Sequence, residues 1–198
     1  MQKKASLREQ RRLETVGALH AAAVELVAGG GLAAATVESI VELAGTSKRT
    51  FFNHFTSKED AILGLRDPFL HADLVAAFRE ESNGDLLART VRLMGGVVRS
   101  AAVPGSSFEE RRRLLARYPD LARRMLFYVA VSEDLAADVL LGSAMSPALE
   151  EESVRALLGV AAAINRFAVL RATGGQLPGE AELDAATAVF RTVLKETL

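Results

Sequence analysis

The sequence predicts an all-α fold, with a small N-terminal helix-turn-helix domain over residues 1–56 and a larger helical domain over 57–198. Apolar residues recur at helical spacing nearly throughout, and no convincing run alternates with period two. Ala and Leu dominate over Val, Ile and Thr, which favours helix over strand.

The first helix is expected from about Leu7 to Ala28, where Val16, Leu19, Ala23, Leu26 and Val27 fall on one face. Gly29, Gly30 and Gly31 are expected to stop it. Thr36 suits the N-cap of a short second helix, whose Val37, Ile40, Val41 and Ala44 keep the i, i+3, i+4, i+7 rule until Gly45 ends it. Ser47 caps a third helix running through Phe55, with Phe51 and Phe55 on its buried face. Ser57 starts a fourth, whose Glu59 and Asp60 complement the helix dipole from the first turn. Pro68 interrupts that helix and pushes Asp67 out of the α region, so a kink or break is expected there. Beyond it the spacing predicts helices at roughly 69–81, 84–101, 107–117, 119–142, 147–172 and 180–197. Pro119 and Pro147 suit first turns, Ser146 an N-cap, and Gly174 with Gly175 a C-terminal stop.

Composition excludes several classes of function. There is no cysteine, which removes disulfides, thiolate metal sites and cysteine nucleophiles. No charge-free apolar run approaches the roughly 20 residues of a membrane span, and Met1 to Arg12 is polar, so a cytoplasmic, unexported chain with no membrane partner is expected. His20, His54 and His71 are not spaced as a metal pair, and neither a Gly-rich phosphate loop nor a nucleophile elbow occurs. Neither catalysis nor a cofactor or metal is expected. Glu150, Glu151 and Glu152 read as a solvated helix start. A net charge of -1 argues against nonspecific coating of nucleic acid, though residues 1–12 carry Lys3, Lys4, Arg8, Arg11 and Arg12 against Glu9 alone. That stretch is either a flexible basic arm beside a phosphate backbone or a solvated tail.

Two short helices joined by a turn of about four residues containing Gly form a helix-turn-helix, and Val37 to Phe55 has that shape. Its apolar positions lock the helices together and leave Thr46, Ser47, Lys48, Arg49, Thr50, Phe52, Asn53 and His54 outward. Such a face offers charge for phosphates, hydroxyls and amide for phosphate or base edges, and Arg and Asn for bidentate reading of guanine and adenine. The third helix is barely two turns long, so specificity is expected from two half-sites about 34 Å apart, read by a dimer on a palindromic operator.

The stretch Thr36-Val37, Ile40, Ala44-Gly45, Ser47, Thr50, Phe55 and Ser57-Lys58-Glu59, preceded by a long helix ending in Gly31, resembles the N-terminal signature of the TetR repressor family over about residues 12–63. The rest of the chain matches that family only in length and helical layout. The resemblance implies phosphate contacts by Thr36 and Lys58 from the starts of their helices, and base or backbone contacts by Lys48, Arg49, Thr50 and Asn53. His54 either donates to phosphate or braces Phe55. Phe52 stands where the family usually has Tyr, and lacks the hydroxyl that would bond a phosphate; Thr46 stands where Val is common.

The resemblance further implies a C-terminal effector pocket and a homodimer built on the helices near 147–172 and 180–197. Val154, Leu157, Leu158, Ala161, Ile164 and Ala168 on one and Leu183, Ala186, Phe190, Val193 and Leu194 on the other supply apolar faces, for a second subunit or for their own monomer. Candidate pocket residues are Leu93, Met94, Val97, Met125, Phe127, Tyr128 and Val131, walls for a hydrophobic or amphipathic small-molecule effector unless they are plain core. Asn165 and Arg166, polar in an apolar helix, either join that pocket or face solvent or the dimer partner. The expected activity is that of a ligand-responsive repressor of operator DNA. The rival reading is a helical adaptor or effector-independent regulator working through protein partners, since residues 1–60 hold eight Lys or Arg against seven acids.

Overall fold

The computed structural model describes residues 7–80, 85–142, 150–172 and 176–197. Among these, ten helices follow in order: α1 (Leu7–Ala34), α2 (Val37–Leu43), α3 (Lys48–Phe52), α4 (Lys58–Leu63), α5 (Ala72–Glu80), α6 (Leu86–Ala101), α7 (Phe108–Arg117), α8 (Pro119–Leu141), α9 (Glu151–Arg171) and α10 (Glu180–Thr197). The described residues contain no strand, only an isolated antiparallel bridge between Leu65 and Ala102. Two compact units emerge, one of residues 1–67 with 102–124, the other of 68–101 with 125–198. The first unit thus runs past Thr56 and takes in α7 and the start of α8.

In the first unit α1 is the scaffold, packed against α2 and α4. Its Val16, Leu19, Ala23 and Val27 are buried together with Ile40 and Val41 of α2, Phe51 of α3, Phe55, and Ala61, Ile62 and Leu63 of α4. The helix does not stop at Ala28. It continues through Gly29 and Gly30 and breaks at Gly31 (φ 73°, ψ -173°) before a last turn to Ala34. A helical glycine costs only about 1 kcal/mol relative to Ala, so three in a row permit a stop without fixing which one breaks the helix. The N-terminal arm is helical from Leu7, so Arg8, Arg11 and Arg12 belong to α1, while Lys3 and Lys4 lie outside the described residues.

The fourth helix is shorter than its sequence suggests. It ends at Leu63 because Gly64 takes the left-handed conformation (φ 61°) as C-cap, well before Pro68. A Cβ on Gly64 would stand 2.8 Å from both the His20 ring and Ser106, so the site excludes any other residue twice over. Two arginines from far along the chain hold α4 at both ends. Arg111 of α7, buried, donates to the carbonyls of Leu63 (2.7 Å) and Gly64 (3.4 Å) and to Ser106 Oγ (2.9 Å). Burial pulls its pKa down to about 10, which leaves it charged at neutral pH. Arg124 of α8 forks onto Asp60 at 2.6 and 2.9 Å, and Asp60, the first-turn acid of α4, is fully buried. His20 of α1 donates from Nδ1 to the Ala61 carbonyl at 2.7 Å.

The second unit has its own core, in which Phe78, Val91, Leu93, Met94, Ala136, Val139, Leu140, Val154, Leu158, Ala161, Ile164, Ala168, Leu183 and Ala186 are buried. α6 lies against α5, α9 and α10. Arg89 is buried with its guanidinium 4.4 Å over the Phe78 ring, and it donates to the Phe78 carbonyl. Of the apolar residues offered for a second subunit or for their own monomer, Val154, Leu158, Ala161, Ile164, Ala168, Leu183 and Ala186 are buried within the unit. The outward apolar residues of the two helices are Val160, Leu170, Val189, Val193 and Leu194. Ser146, Pro147, Gly174 and Gly175 lie outside the described residues. By length and composition α1 (over Gln10–Ala34) and α9 are apolar enough to cross a membrane. Each lays an apolar face on neighbouring helices, α1 on α2 and α4, and α9 on α6 and α10.

Candidate nucleic-acid interface

The α2–turn–α3 element is built from local capping. Thr36 Oγ1 accepts from Ser39 N (3.1 Å) while Ser39 Oγ accepts from Thr36 N (3.0 Å), a reciprocal capping box that fixes where α2 begins. Gly45 turns the chain with φ 63°, and Thr46 N reaches back to Val41 O at 2.9 Å. Ser47 Oγ then accepts from Thr50 N (3.2 Å) and starts α3. The third helix proper ends at Phe52, short of Phe55, with Asn53 as its C-cap, although Phe55 N still bonds Phe51 O at 2.9 Å.

One ring anchors this short helix. Phe51 is fully buried, stacked at a tilt 5.7 Å from Phe55 and edge-on 5.3 Å from Phe52. Ser47, Lys48, Arg49, Phe52 and Asn53 are exposed, Thr46 and Thr50 half-buried. Lys48 pairs with Glu38 of α2, and this bond holds the Glu38 carboxyl below the usual range. The Arg49 guanidinium makes no hydrogen bond or ion pair among the described residues, so its full fork is presented outward. Phe52 is 58% exposed, a ring that burial within the chain does not explain. His54 is half-buried, and burial first, then Arg12 and Arg66, push its pKa below the ordinary value, leaving it neutral at pH 7. Lys58, at the start of α4, donates to Leu32 O at 3.1 Å, four residues before the N-cap of α2 at Thr36.

Residues 19–63 match the family of bacterial regulatory proteins of the tetR family. This stretch is a TetR-family N-terminal helix-turn-helix domain. The chain therefore carries the DNA-binding domain of TetR-family transcriptional regulators, a family of non-enzymatic proteins. No curated protein matches the chain.

Beyond the TetR domain, the candidate effector residues differ in exposure. Leu93, Met94, Val97 and Tyr128 are buried, Met125 and Val131 half-buried, and Phe127 is 47% exposed. Asn165 is buried but satisfied, its Nδ2 donating to Val91 O (3.1 Å) and Ala161 O (3.0 Å), while Arg166 faces solvent. A concavity of about 520 Å³ in the second unit is lined by the end of α9 and the start of α10, including Phe167, Arg171, Pro178, Glu182 and Val189. A second, of about 390 Å³, lies between α6 and α10 and includes Arg92, Asp184, Arg191 and Lys195. Neither is lined by any of the nine candidates. Sequence reasoning missed the residues that brace the TetR domain, Arg111, Arg124 and the buried Asp60. The mixed-sign run from Glu109 to Arg113 carries the only signal, and it reads equally well as a solvated face.

Proposed function

We propose that the chain is a ligand-responsive repressor that binds a palindromic operator as a cytoplasmic homodimer. The observation that carries this reading is the exposed polar face of α3 on a single buried ring, inside a stretch that matches the TetR family. Arg49 and Asn53 read base edges, Lys48, Thr46, Ser47 and Thr50 hold backbone or bases, and Thr36 and Lys58 bind phosphate. Phe52 packs against sugar or a thymine methyl. A helix this short reaches few bases per subunit, which favours two half-sites about 34 Å apart. The outward Val160, Val189, Val193 and Leu194 on α9 and α10 supply the apolar face for the second copy. A hydrophobic or amphipathic effector releases DNA by binding one spacing of the two reading heads better than the other. Leu93, Met94, Val97, Met125, Phe127, Tyr128, Val131, Asn165 and Arg166 remain its proposed neighbours.

Selection of bound sequences from random duplex DNA tests this. A palindromic winner whose binding weakens by about 1–3 kcal/mol in Arg49→Ala or Asn53→Ala, with an unshifted melting temperature, is the expected result. No enriched sequence would move the reading to an adaptor acting through protein partners.

A further inference from the structure

Charge is divided unevenly between the two units. The first holds fifteen lysines and arginines against eleven acids, the second nine against fourteen, although the whole chain is at -1. The helix-turn-helix stretch supplies little of the excess: residues 1–67 hold nine basic residues against eight acids, whereas 102–124 hold six arginines against three. Two of the six, Arg111 and Arg124, are used internally on α4. Arg112, Arg113, Arg117 and Arg123 face outward.

These arginines sit beside the DNA-binding element, within the same unit. Arg117 lies 5.3 Å over the Tyr118 ring, and Tyr118 Oη stands 3.7 Å from where a Cβ on Gly31 would be. Arg124, next to Arg123, grips Asp60 in the first turn of α4, where Lys58 reaches Leu32 O. The turn between α7 and α8 is therefore packed against the α1 break and the Lys58 end of α4. Arg117 has no ion pair among the described residues. Arg123 has a 3.4 Å contact to Asp120 with both side chains more than 70% exposed, a pairing that a phosphate readily displaces.

We propose that Arg117 and Arg123 form a second, sequence-independent edge of the interface, contacting phosphates of duplex DNA that flanks the half-site read by α3. The proposal rests on the DNA-binding reading above. Exposed guanidiniums without buried partners and without a shaped pocket fit a row of phosphates, and phosphate contacts carry affinity and register while leaving base sequence unread.

The test is the salt dependence of binding of the full chain to a mixed-sequence duplex of about 40 base pairs, wild type against R117Q/R123Q and against R79Q/R155Q. The last pair removes the same charge from exposed positions of the second unit. Each phosphate that the protein no longer neutralises lowers the slope of log K on log salt by about 0.9, so the slope for R117Q/R123Q should be shallower by about 2 per protomer, and the variant should forfeit about ten-fold per protomer bound of the rise in affinity between 200 and 50 mM salt. R79Q/R155Q should follow wild type, and all three proteins should melt together. A slope unchanged in R117Q/R123Q, which would leave these arginines for an acidic protein partner, overturns the proposal, and so does an equal change in R79Q/R155Q. Absence of any salt-dependent binding by wild type would instead overturn the DNA-binding reading itself.

Discussion

Removing Arg124 should strand a buried charge. Asp60 is only 1% exposed and both its oxygens are held by one guanidinium, at 2.6 and 2.9 Å, that is itself 24% exposed. In Arg124→Ala the carboxylate is stripped of its fork at a site buried in the wild type, so the cost should resemble that of a broken buried pair, about 3–5 kcal/mol, and not the 1 kcal/mol or less of a surface pair. For a chain of this size each kcal/mol moves the midpoint about 2–4 °C, so a fall of about 10 °C is expected. Removing both charges together, as Asp60→Leu/Arg124→Met, should recover most of it, because an apolar pair of similar volume needs no compensation. Thermal melts and urea titrations of wild type, single and double variants measure this directly. A single variant within about 1 kcal/mol of wild type, or a double variant worse than the single, would refute the reasoning.

The other predictions concern the same unit. Gly64→Ala should cost about 2–5 kcal/mol, from its positive φ together with the clash on His20 and Ser106, whereas Gly45→Ala, with positive φ but nothing within 4 Å, should cost about 1–2 kcal/mol in urea titration. His20 has its pKa lowered below 6.5, by burial above all and less by Arg111, against the opposing bond to Ala61. The folded state therefore holds fewer protons than the unfolded just below that value, and stability falls as pH drops through the window. His54, lowered as well, adds the same sign. His20→Gln should flatten the urea midpoint between about pH 7.5 and 5.5, and a wild-type midpoint that rises on acidification would contradict this. Phe52→Tyr should leave the melting temperature unchanged, because the ring is exposed, and tighten operator binding up to about ten-fold in a filter or anisotropy titration.

Local chemistry is legible in the sequence and distant pairing is not. Thr36, Ser47 and Ser57 each cap the helix expected of them, because a cap is written within three residues. Phe51 and Phe55 turn inward as their spacing requires. By contrast, nothing near Asp60 announces Arg124, 64 residues on, or gives Arg111 to the end of α4, 48 residues back. Gly64 does not stand out as a stop, because its need for a bare backbone comes partly from His20, on another helix. Asn165 reads as a pocket residue, since a polar group amid apolar ones needs partners. Those partners turn out to be two main-chain carbonyls, one of them on α6, which no spacing discloses.

The layout of α3 bears on how such a protein changes over time. The residue that fixes the helix in place, Phe51, is wholly buried, while Lys48, Arg49, Phe52 and Asn53 stand in solvent. Exchanges at exposed positions usually stay within about 0.5 kcal/mol, so the outward set can drift with almost no effect on folding. A duplicated copy can therefore move to a different target sequence by a few substitutions on one surface, with no compensating change in the interior.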